Sequence, residues 1–450
     1  MSLRAKLACA TAACLTTVLS VSSMPATAIE LPNPLSGSNS PIYDHNDPFY
    51  QAPADIPAQA GTLIRSELAP HALNLADSTA AYLGLPTPNL PGKAHRVLYS
   101  STSPQGSPTA VSGTIIEPIA PWRGEGPTPT LVMGPGTRGE GRSCAPSLGP
   151  GMLGTIDPQH DAVAVNYELP LMYAATAQGM RVIMTDHMGM GTEGQLRYLN
   201  NQPEAYAMLD AARAALAFFG ADASSPVAFY GYSQGGSSAS AAAEYAAEYA
   251  PELAIKGTYA GAPASGLIET MNALDRSLLS GAQAYLVAGA SEASPEAYKA
   301  FLRNLNAQGR EIVEKGFDAC AVDTLLRQGF QDSRAWTTTG ESFTEVAQRE
   351  PAIREFLNAQ ERGHRRLNAP MLVINDDADD IVPVEQARRM AQNYCALGGD
   401  VEFRAGGTPA VLTGLGLNHG IPMYLRAPES FEWIKDRFNG APTTSNCGSF

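Results

Sequence analysis

Val227-Ala-Phe-Tyr-Gly-Tyr-Ser-Gln-Gly-Gly-Ser-Ser-Ala-Ser-Ala241 combines a short apolar run, a Gly-x-Ser-x-Gly turn and a series of small residues. This order predicts a buried strand, a sharp turn with Ser233 at its apex, and a helix that packs closely against a sheet. Gly231 and Gly235 leave room for the strained backbone that a serine adopts in such a turn. The five-residue pattern also occurs in ordinary glycine-rich turns, but the flanking strand and helix favour a serine nucleophile.

Apolar runs on both sides of this turn are typical of further strands. We predict them at 95–101, 110–116, 130–133, 181–185, 255–260, 370–374 and 401–404, with the first two as an antiparallel pair. Helices are expected at 204–220 and 428–438. Strands that alternate with helices in this order predict an α/β protein with a mostly parallel, doubly wound sheet, and the turn at Ser233 indicates the α/β-hydrolase fold.

Residues 266–365 have helical periodicity and no strand pattern, with amphipathic segments at 288–315 and 346–360. An insertion of this size is expected to lie over the carboxyl ends of the strands, where ligands bind, so we predict a helical cap. A helical domain without a gating role is the alternative. The remaining chain divides into an N-terminal arm at 29–90 and a hydrolase core at 91–265 and 366–450.

The first 28 residues have the pattern of a secretory signal peptide. Arg4 and Lys6 precede an apolar run from Leu7 to Val21, and a cleavage site follows that ends at Ala28. The run is too short and too rich in Ala and Thr for a transmembrane helix, and no later stretch approaches one. We therefore predict a secreted, extracellular protein without a membrane anchor; an uncleaved anchor is the alternative.

The balance of charges narrows the range of partners. The chain has 44 acidic and 30 basic residues and a formal net charge of −14. An acidic surface disfavours nucleic acids and charge-driven binding to anionic membranes. Transient contact with a lipid–water interface would therefore have to be hydrophobic. We expect a monomer that binds no nucleic acid.

Four cysteines follow the predicted signal peptide: Cys144, Cys320, Cys395 and Cys447. An even number in an exported chain favours two disulfides over free thiols or metal ligands, and the spacing leaves three pairings open. No Cys-x-x-Cys pair is present, so a zinc site is not expected. The chemistry predicted below requires neither a metal nor an organic cofactor.

A serine nucleophile needs a histidine base and an orienting carboxylate, which in this fold follow in the order serine, acid, histidine. Four aspartates follow the strand at 370–374, and Asp379 has the expected spacing before Ile-Val-Pro. Asp376, Asp377 and Asp380 are the alternatives, with turn capping as their other role. A calcium loop is not favoured, because the spacing is not that of an EF-hand.

Two histidines lie beyond the serine turn. His364 lies in a basic, polar segment and is predicted to be solvated. His419 lies in what we expect to be a loop between the last strand and the terminal helix, where the fold supplies its histidine. We therefore predict His419 as the base.

Stabilisation of a tetrahedral intermediate needs two backbone N–H groups. Gln234 directly follows the nucleophile and is expected to supply one. The other is expected from the glycine-rich loop after Met133, at Thr137 or a neighbour. Asp186 and His187 belong to the same edge of the sheet, and we predict a mainly structural role for them, with contact to substrate as the lesser alternative.

Taken together, these residues resemble those of the secretory lipase family, the yeast lipase-A type with actinobacterial relatives. The likeness covers nearly the whole mature chain. It rests on eight motifs: Asp47-Pro-Phe-Tyr, Gly61-Thr-Leu-Ile-Arg, Pro135-Gly-Thr, Cys144-Ala-Pro-Ser, Thr185-Asp, Gly231-Tyr-Ser-Gln-Gly-Gly, Gly261-Ala-Pro and Asp379-Asp-Ile-Val-Pro. The resemblance implies a triad of Ser233, Asp379 and His419, a helical cap over the acyl site, and hydrolysis of triacylglycerols and simpler esters.

The resemblance also implies that Cys144 pairs with Cys320 and Cys395 with Cys447. Two positions depart from the family pattern: Asn375-Asp376 replaces His-Gly or Gln-Gly, and the histidine segment reads Leu-Asn-His-Gly instead of Glu-His. A carboxylesterase for short soluble esters shares every catalytic residue, and an acyltransferase would differ only in its acceptor pocket. An inactive hydrolase relative with a binding role is the non-enzymatic alternative.

Overall fold

The computed structural model describes residues 42–69, 91–148, 154–194 and 196–450. The predicted signal peptide lies outside the described residues, as do 29–41 and 70–90 of the predicted arm. Within the described ranges, no helix is long and apolar enough to cross a membrane.

A nine-stranded sheet and a separate two-stranded hairpin contain all the strands of the described residues. The strands are β1 Leu63–Leu68, β2 Gly92–Thr102, β3 Pro108–Pro118, β4 Thr130–Gly134, β5 Ile156–Asp157, β6 Ala162–Val163, β7 Arg181–Thr185, β8 Pro226–Tyr232, β9 Ala254–Gly261, β10 Met371–Asn375 and β11 Val401–Ala405. The large sheet has the order β1-β2-β3-β7-β4-β8-β9-β10-β11, and β5 pairs with β6.

Six neighbouring strands run parallel: β7, β4, β8, β9, β10 and β11. The strands β1, β2 and β3 are antiparallel to their neighbours. The predicted mostly parallel, doubly wound sheet is therefore confirmed.

Helices cover both faces of the sheet and continue between β9 and β10. Their bounds are α1 Leu169–Ala177, α2 Asn201–Phe218, α3 Gln234–Tyr249, α4 Leu267–Leu274, α5 Gln283–Ala293, α6 Pro295–Asn304, α7 Ala307–Gly316, α8 Ala321–Gln328, α9 Phe343–Arg349, α10 Pro351–Asn358, α11 Val384–Ala396, α12 Leu417–Leu425 and α13 Ala427–Phe438. Short 3₁₀ helices lie at Arg142–Cys144, Ser280–Ala282 and Ser333–Trp336.

Strand β8 explains why the central strands are apolar throughout, since every residue in it is buried. Val227 and Phe229 pack among residues of α2 and α3 on one face of the sheet. Ala228 and Tyr230 pack among residues of α1 and α13 on the other. A strand covered on both faces has no polar side, so its sequence is a continuous apolar run.

The strands predicted at 95–101 and 110–116 are the second and third strands of the sheet, because β1 precedes them within the predicted arm. Strand β1 pairs with β2 at the edge, with an irregular register between Leu63 and Arg65. Its sequence, Leu-Ile-Arg-Ser-Glu-Leu, is half polar and largely solvent-facing. A partly exposed edge strand therefore lacks the apolar run by which the other strands were predicted.

The segment between β9 and β10, here called the cap (residues 266–365), contains the helices α4 to α10. The segment at 288–315, predicted to be amphipathic and helical, forms parts of three helices, α5, α6 and α7. Its breaks fall at Ser294 and Asn306, whose side chains accept N-terminal hydrogen bonds of α6 and α7. The segment at 346–360 is likewise divided, with Pro351 as the first residue of α10.

Two disulfides join distant parts of the chain, and both match the pairing that the family resemblance implies. Cys144–Cys320 connects the 3₁₀ helix after β4 to the N-cap residue directly before α8 of the cap. Cys395–Cys447 connects α11 to the C-terminal tail. The tail runs beside β11, where Asn446 exchanges two hydrogen bonds with the backbone of Phe403, at 2.9 and 2.7 Å.

Candidate active site

The turn between β8 and α3 holds Ser233 in a backbone conformation that is rare for a serine, with φ 59° and ψ −122°. The glycines beside it have no room for a side chain. A Cβ on Gly231 would collide with the carbonyl of Gly235, and a Cβ on Gly235 would collide with that of Gly134. The close approach of backbone within the turn, and of the turn to β4, therefore requires glycine at both positions. This packing holds Ser233 at the carboxyl end of β8.

The side chains of Ser233, His419 and Asp379 form one line of hydrogen bonds. His419 Nε2 lies 2.8 Å from Ser233 Oγ, and His419 Nδ1 lies 2.8 Å from Asp379 Oδ2. The histidine and the aspartate are each 8% exposed. In this geometry a carboxylate can orient an imidazole and leave its second ring nitrogen to exchange a proton with a serine hydroxyl.

Asp379 is held by the chain that follows β10. Its Oδ1 accepts hydrogen bonds from the backbone N–H groups of Ile381 and Val382, at 3.0 and 2.8 Å. His419 is held through its own carbonyl, which accepts a hydrogen bond of 2.8 Å from the hydroxyl of Tyr232. Both side chains are thus positioned by contacts other than the one between them.

The other three aspartates after β10 have different partners. Asp376 is ion-paired with Arg426 at 2.8 Å, and Asp380 accepts a hydrogen bond of 2.6 Å from the backbone N–H of Gly414. Asp377 is exposed. None of the three is hydrogen-bonded to His419 in the described structure.

The two histidines after the serine turn differ in their surroundings. The side chain of His364 is 60% exposed, lies 3.9 Å from Glu361 and does not line the cavity that contains Ser233. The sequence predicted a loop around His419, but this residue lies in the first turn of α12. The helix forms although Gly420 and Pro422 lie within it, two residues that disfavour helices.

Two backbone N–H groups beside Ser233 have no hydrogen-bond partner among the described residues, those of Thr137 and Gln234. Both residues line the cavity that contains Ser233. The loop at Thr137 is fixed by its neighbours, since the Tyr167 hydroxyl donates to its carbonyl at 2.9 Å and the Tyr198 hydroxyl lies 2.7 Å from its Oγ1. The two N–H groups are therefore the candidates for the pair of oxyanion donors expected from the sequence.

A buried carboxylate that the sequence analysis missed lies behind Gln234. Glu204 of α2 accepts a hydrogen bond of 2.8 Å from Gln234 Nε2 and lies 3.4 Å from Arg362, at the end of the cap. Burial raises the pKa of Glu204 to about 7, against the opposing effect of Arg362. Its contacts tie the residue after Ser233 to the end of the cap.

A cavity of about 450 Å³ extends from Ser233 and His419 between the core and the cap. Leu274, Leu279 and Leu325 line it from the cap, and Ile381 and Met423 line it from the core. Among the described residues that line it there is no Asp, Glu, Lys or Arg. Such a cavity suits an uncharged, apolar group attached to the atom that Ser233 would attack.

Asp186 and His187 do not line this cavity. Both are fully buried, and Asp186 accepts hydrogen bonds from the hydroxyls of Ser112 and Ser147. Burial raises the pKa of Asp186 to about 6 and lowers that of His187 to about 3. The contacts of Asp186 are those of a structural residue, in line with the role expected for it.

Comparison with known proteins identifies the family. The model of the family described as secretory lipase matches residues 156–446. The chain belongs to the secretory lipase family. This confirms the resemblance found in the sequence.

Two curated relatives illustrate the range of this secretory lipase family. One is a probable inactive lipase of Mycobacterium tuberculosis, 28% identical over 414 residues, which cover 90% of this chain and 85% of the relative. Another is a secreted triacylglycerol lipase of Malassezia furfur, 26% identical over 423 residues, which cover 90% and 80% of the two chains.

Among solved structures, lipase A of Candida antarctica in its closed state is similar in fold to this member of the secretory lipase family. The TM-score is 0.70 at 23% sequence identity, over 90% of this chain and 88% of the other. The likeness confirms the predicted α/β-hydrolase fold.

Proposed function

We propose that this protein is a secreted ester hydrolase that cleaves carboxylic esters of lipids, with triacylglycerols as its main substrates. The observation that carries the proposal is the hydrogen-bonded line from Ser233 through His419 to Asp379 at an apolar cavity. Membership of the secretory lipase family supports the same reaction class.

In the proposed reaction, Ser233 Oγ attacks the ester carbonyl while His419 Nε2 takes the hydroxyl proton. The imidazolium that forms is stabilised by Asp379 at Nδ1. His419 then returns the proton to the departing alcohol, which leaves an acyl group on Ser233. Water attacks this acyl-enzyme with His419 again as base, and the carboxylic acid is released.

The negative charge of each tetrahedral intermediate would be held by the backbone N–H groups of Gln234 and Thr137. Donors of this kind act strongly because they are already aimed at the position where charge develops. Glu204 is proposed to hold Gln234 in place from behind, through the 2.8 Å hydrogen bond between their side chains.

The lipid preference is supported by apolar residues where the cavity meets solvent. Leu417 and Tyr424 line the cavity and are 41% and 42% exposed. Leu425, the last residue of the same helix, is 62% exposed. An apolar rim beside an uncharged cavity can contact a lipid surface and admit an acyl chain without removing a charge from water.

The proposal is tested by rates on a series of esters from acetyl to long-chain, in solution and as emulsions, for the wild type and Ser233→Ala. Removal of the nucleophile is expected to lower kcat by about 10⁶-fold. Ser240→Ala is the matched control, because Ser240 is a buried serine of α3, the helix that directly follows Ser233, and does not line the cavity.

Activity that is highest on long-chain emulsions and lost in Ser233→Ala supports a triacylglycerol lipase. Activity confined to short soluble esters would replace it by a carboxylesterase. Transfer of the acyl group to an added alcohol or sugar in preference to water would indicate an acyltransferase. If the wild type neither turns over any ester nor is labelled at Ser233 by a fluorophosphonate, the protein is an inactive relative and the proposal is wrong.

A further inference from the structure

His45, Asp157 and His160 form a cluster that does not include any residue of the proposed triad. His45 Nε2 lies 3.1 Å from Asp157 Oδ1, and His160 Nδ1 lies 2.7 Å from Asp157 Oδ2. One ligand atom from each residue can be chosen such that all three lie within 4.8 Å of one another. The two imidazoles therefore converge on opposite oxygens of one carboxylate.

The backbone around the cluster is already fixed. Asp157 ends β5 of the two-stranded hairpin, and His160 lies in the turn before β6. His45 comes from the arm, where the backbone N–H of Tyr43 donates to the carbonyl of Ile156 at 2.8 Å. The N–H of Gln159 donates to Asp157 Oδ1 at 3.0 Å and holds the carboxylate from the protein side.

The three side chains of the cluster differ in their exposure to solvent. The side chain of Asp157 is 1% exposed, whereas those of His45 and His160 are 34% and 31% exposed. An ion at the carboxylate would therefore be approached from the side of the two partly exposed rings.

The ligand types decide which ion would bind. Two imidazoles and a carboxylate are a common donor set for Zn²⁺ and related transition metals, whereas Ca²⁺ and Mg²⁺ prefer sites made of oxygen atoms. Metal–ligand bonds of about 2.0–2.2 Å in a tetrahedral complex separate ligand atoms by roughly 3.3 Å. Each imidazole nitrogen lies at a similar distance, 3.1 or 2.7 Å, from one of the two carboxylate oxygens, and three ligand atoms can be chosen that lie within 4.8 Å of one another.

We propose that His45 Nε2, Asp157 and His160 Nδ1 bind one divalent transition-metal ion of the zinc type, with water as the fourth ligand. The ion joins the arm to the β5–β6 hairpin. This site is structural and takes no part in ester hydrolysis.

The hairpin in turn contacts the cap helix α8. Arg327 donates to Asp161 Oδ2 at 2.9 Å, and Asp323 Oδ1 accepts a hydrogen bond of 3.2 Å from the N–H of Val163. The same helix supplies Leu325 to the cavity beside Ser233. Metal binding therefore stabilises the contact between the arm and the hairpin, and through the hairpin it supports α8 of the cap.

The test uses the mature protein without a histidine tag, treated with EDTA and dialysed. Titration calorimetry with ZnCl₂ is expected to give one ion per chain. Added Zn²⁺ is expected to raise Tm by about 3 °C, because it binds only the folded state. Co²⁺ is expected to give the visible absorption of a tetrahedral complex.

His45→Ala and His160→Ala are each expected to lower the Zn²⁺ affinity at least about 100-fold and to abolish the rise in Tm. Two controls locate the binding. His364→Ala removes another exposed histidine, and His419→Ala removes the histidine beside Ser233; both should retain the full affinity. Circular dichroism establishes that each variant is folded.

The proposal is overturned if the folded wild type binds no Zn²⁺ stoichiometrically, since the cluster would then be only a hydrogen-bonded His–Asp–His group. It is equally overturned if binding survives in both His45→Ala and His160→Ala, or is lost only in His419→Ala.

Discussion

The exchange Asp379→Asn tests how the acid controls the protonation of His419. Asp379 Oδ1 accepts two backbone N–H groups, from Ile381 and Val382, while Oδ2 faces His419 Nδ1. An asparagine must direct its carbonyl oxygen to the two N–H groups, because an NH₂ there would meet two donors. Its NH₂ group therefore faces Nδ1 of the histidine.

This arrangement places the histidine in the wrong tautomer. Nδ1 has to accept a hydrogen bond from the amide, so the ring proton moves to Nε2, which lies 2.8 Å from Ser233 Oγ. A protonated Nε2 cannot take the proton of Ser233. The equivalent exchange in a serine protease lowers kcat by about 10⁴, which corresponds to about 5.4 kcal/mol at 1.36 kcal/mol per factor of ten.

The assay is kcat on a soluble chromogenic ester, with thermal unfolding to establish that each variant is folded. Asp380→Asn is the matched control, because Asp380 accepts only a backbone N–H and does not contact His419; its kcat should stay within about tenfold of the wild type. The tautomer argument is refuted if Asp379→Asn retains kcat within tenfold of the wild type. If Asp376→Asn shows the 10⁴-fold loss instead, the acid has been assigned to the wrong residue.

Three further outcomes follow from contacts described above. Because burial raises the pKa of Glu204 from 4.5 to about 7, its stabilising effect is complete below pH 4.5 and is lost as the pH rises through 7. The free energy of unfolding of Glu204→Gln, measured in urea, should therefore rise relative to that of the wild type by at most about 1.4 kcal/mol per pH unit between pH 4.5 and 7. Above pH 7 the difference between the two proteins should stay constant. Joint replacement of Cys395 and Cys447 by serine should lower the free energy of unfolding by about 4 kcal/mol, measured by chemical denaturation without reductant, since they close a loop of 52 residues. Leu425→Asp should lower the rate on emulsified triacylglycerols and leave the rate on soluble short esters unchanged.

The sequence predicted the elements whose signals are local. The apolar run before Ser233 and the small residues after it determine both the strand and the helix, because burial on both faces and close packing act on that stretch alone. Asp379 could be chosen among four aspartates from its spacing to the following residues. The structure adds the direct contact between Asp379 and His419, 40 residues apart in the chain.

Features that depend on distant contacts were missed or predicted wrongly. Gly420 and Pro422 favour a loop around His419, yet the segment forms a helix that packs on the core, because tertiary contacts outweigh local propensity. Glu204 lies 30 residues from Gln234, and nothing in its own helix indicates that partner. His45 and His160 come from segments whose sequences give no sign that they meet.

The C-terminal tail has a consequence for how the folded protein behaves at high concentration. The outer edge of a terminal strand offers unpaired N–H and C=O groups on which another chain can add a strand. Asn446 occupies such groups on β11, and the disulfide at Cys447 keeps it there. At the opposite edge, β1 has an irregular register and carries Arg65 and Glu67. Both ends of the sheet are therefore protected from edge-to-edge aggregation, so removal of the last residues is expected to promote self-association of the folded protein.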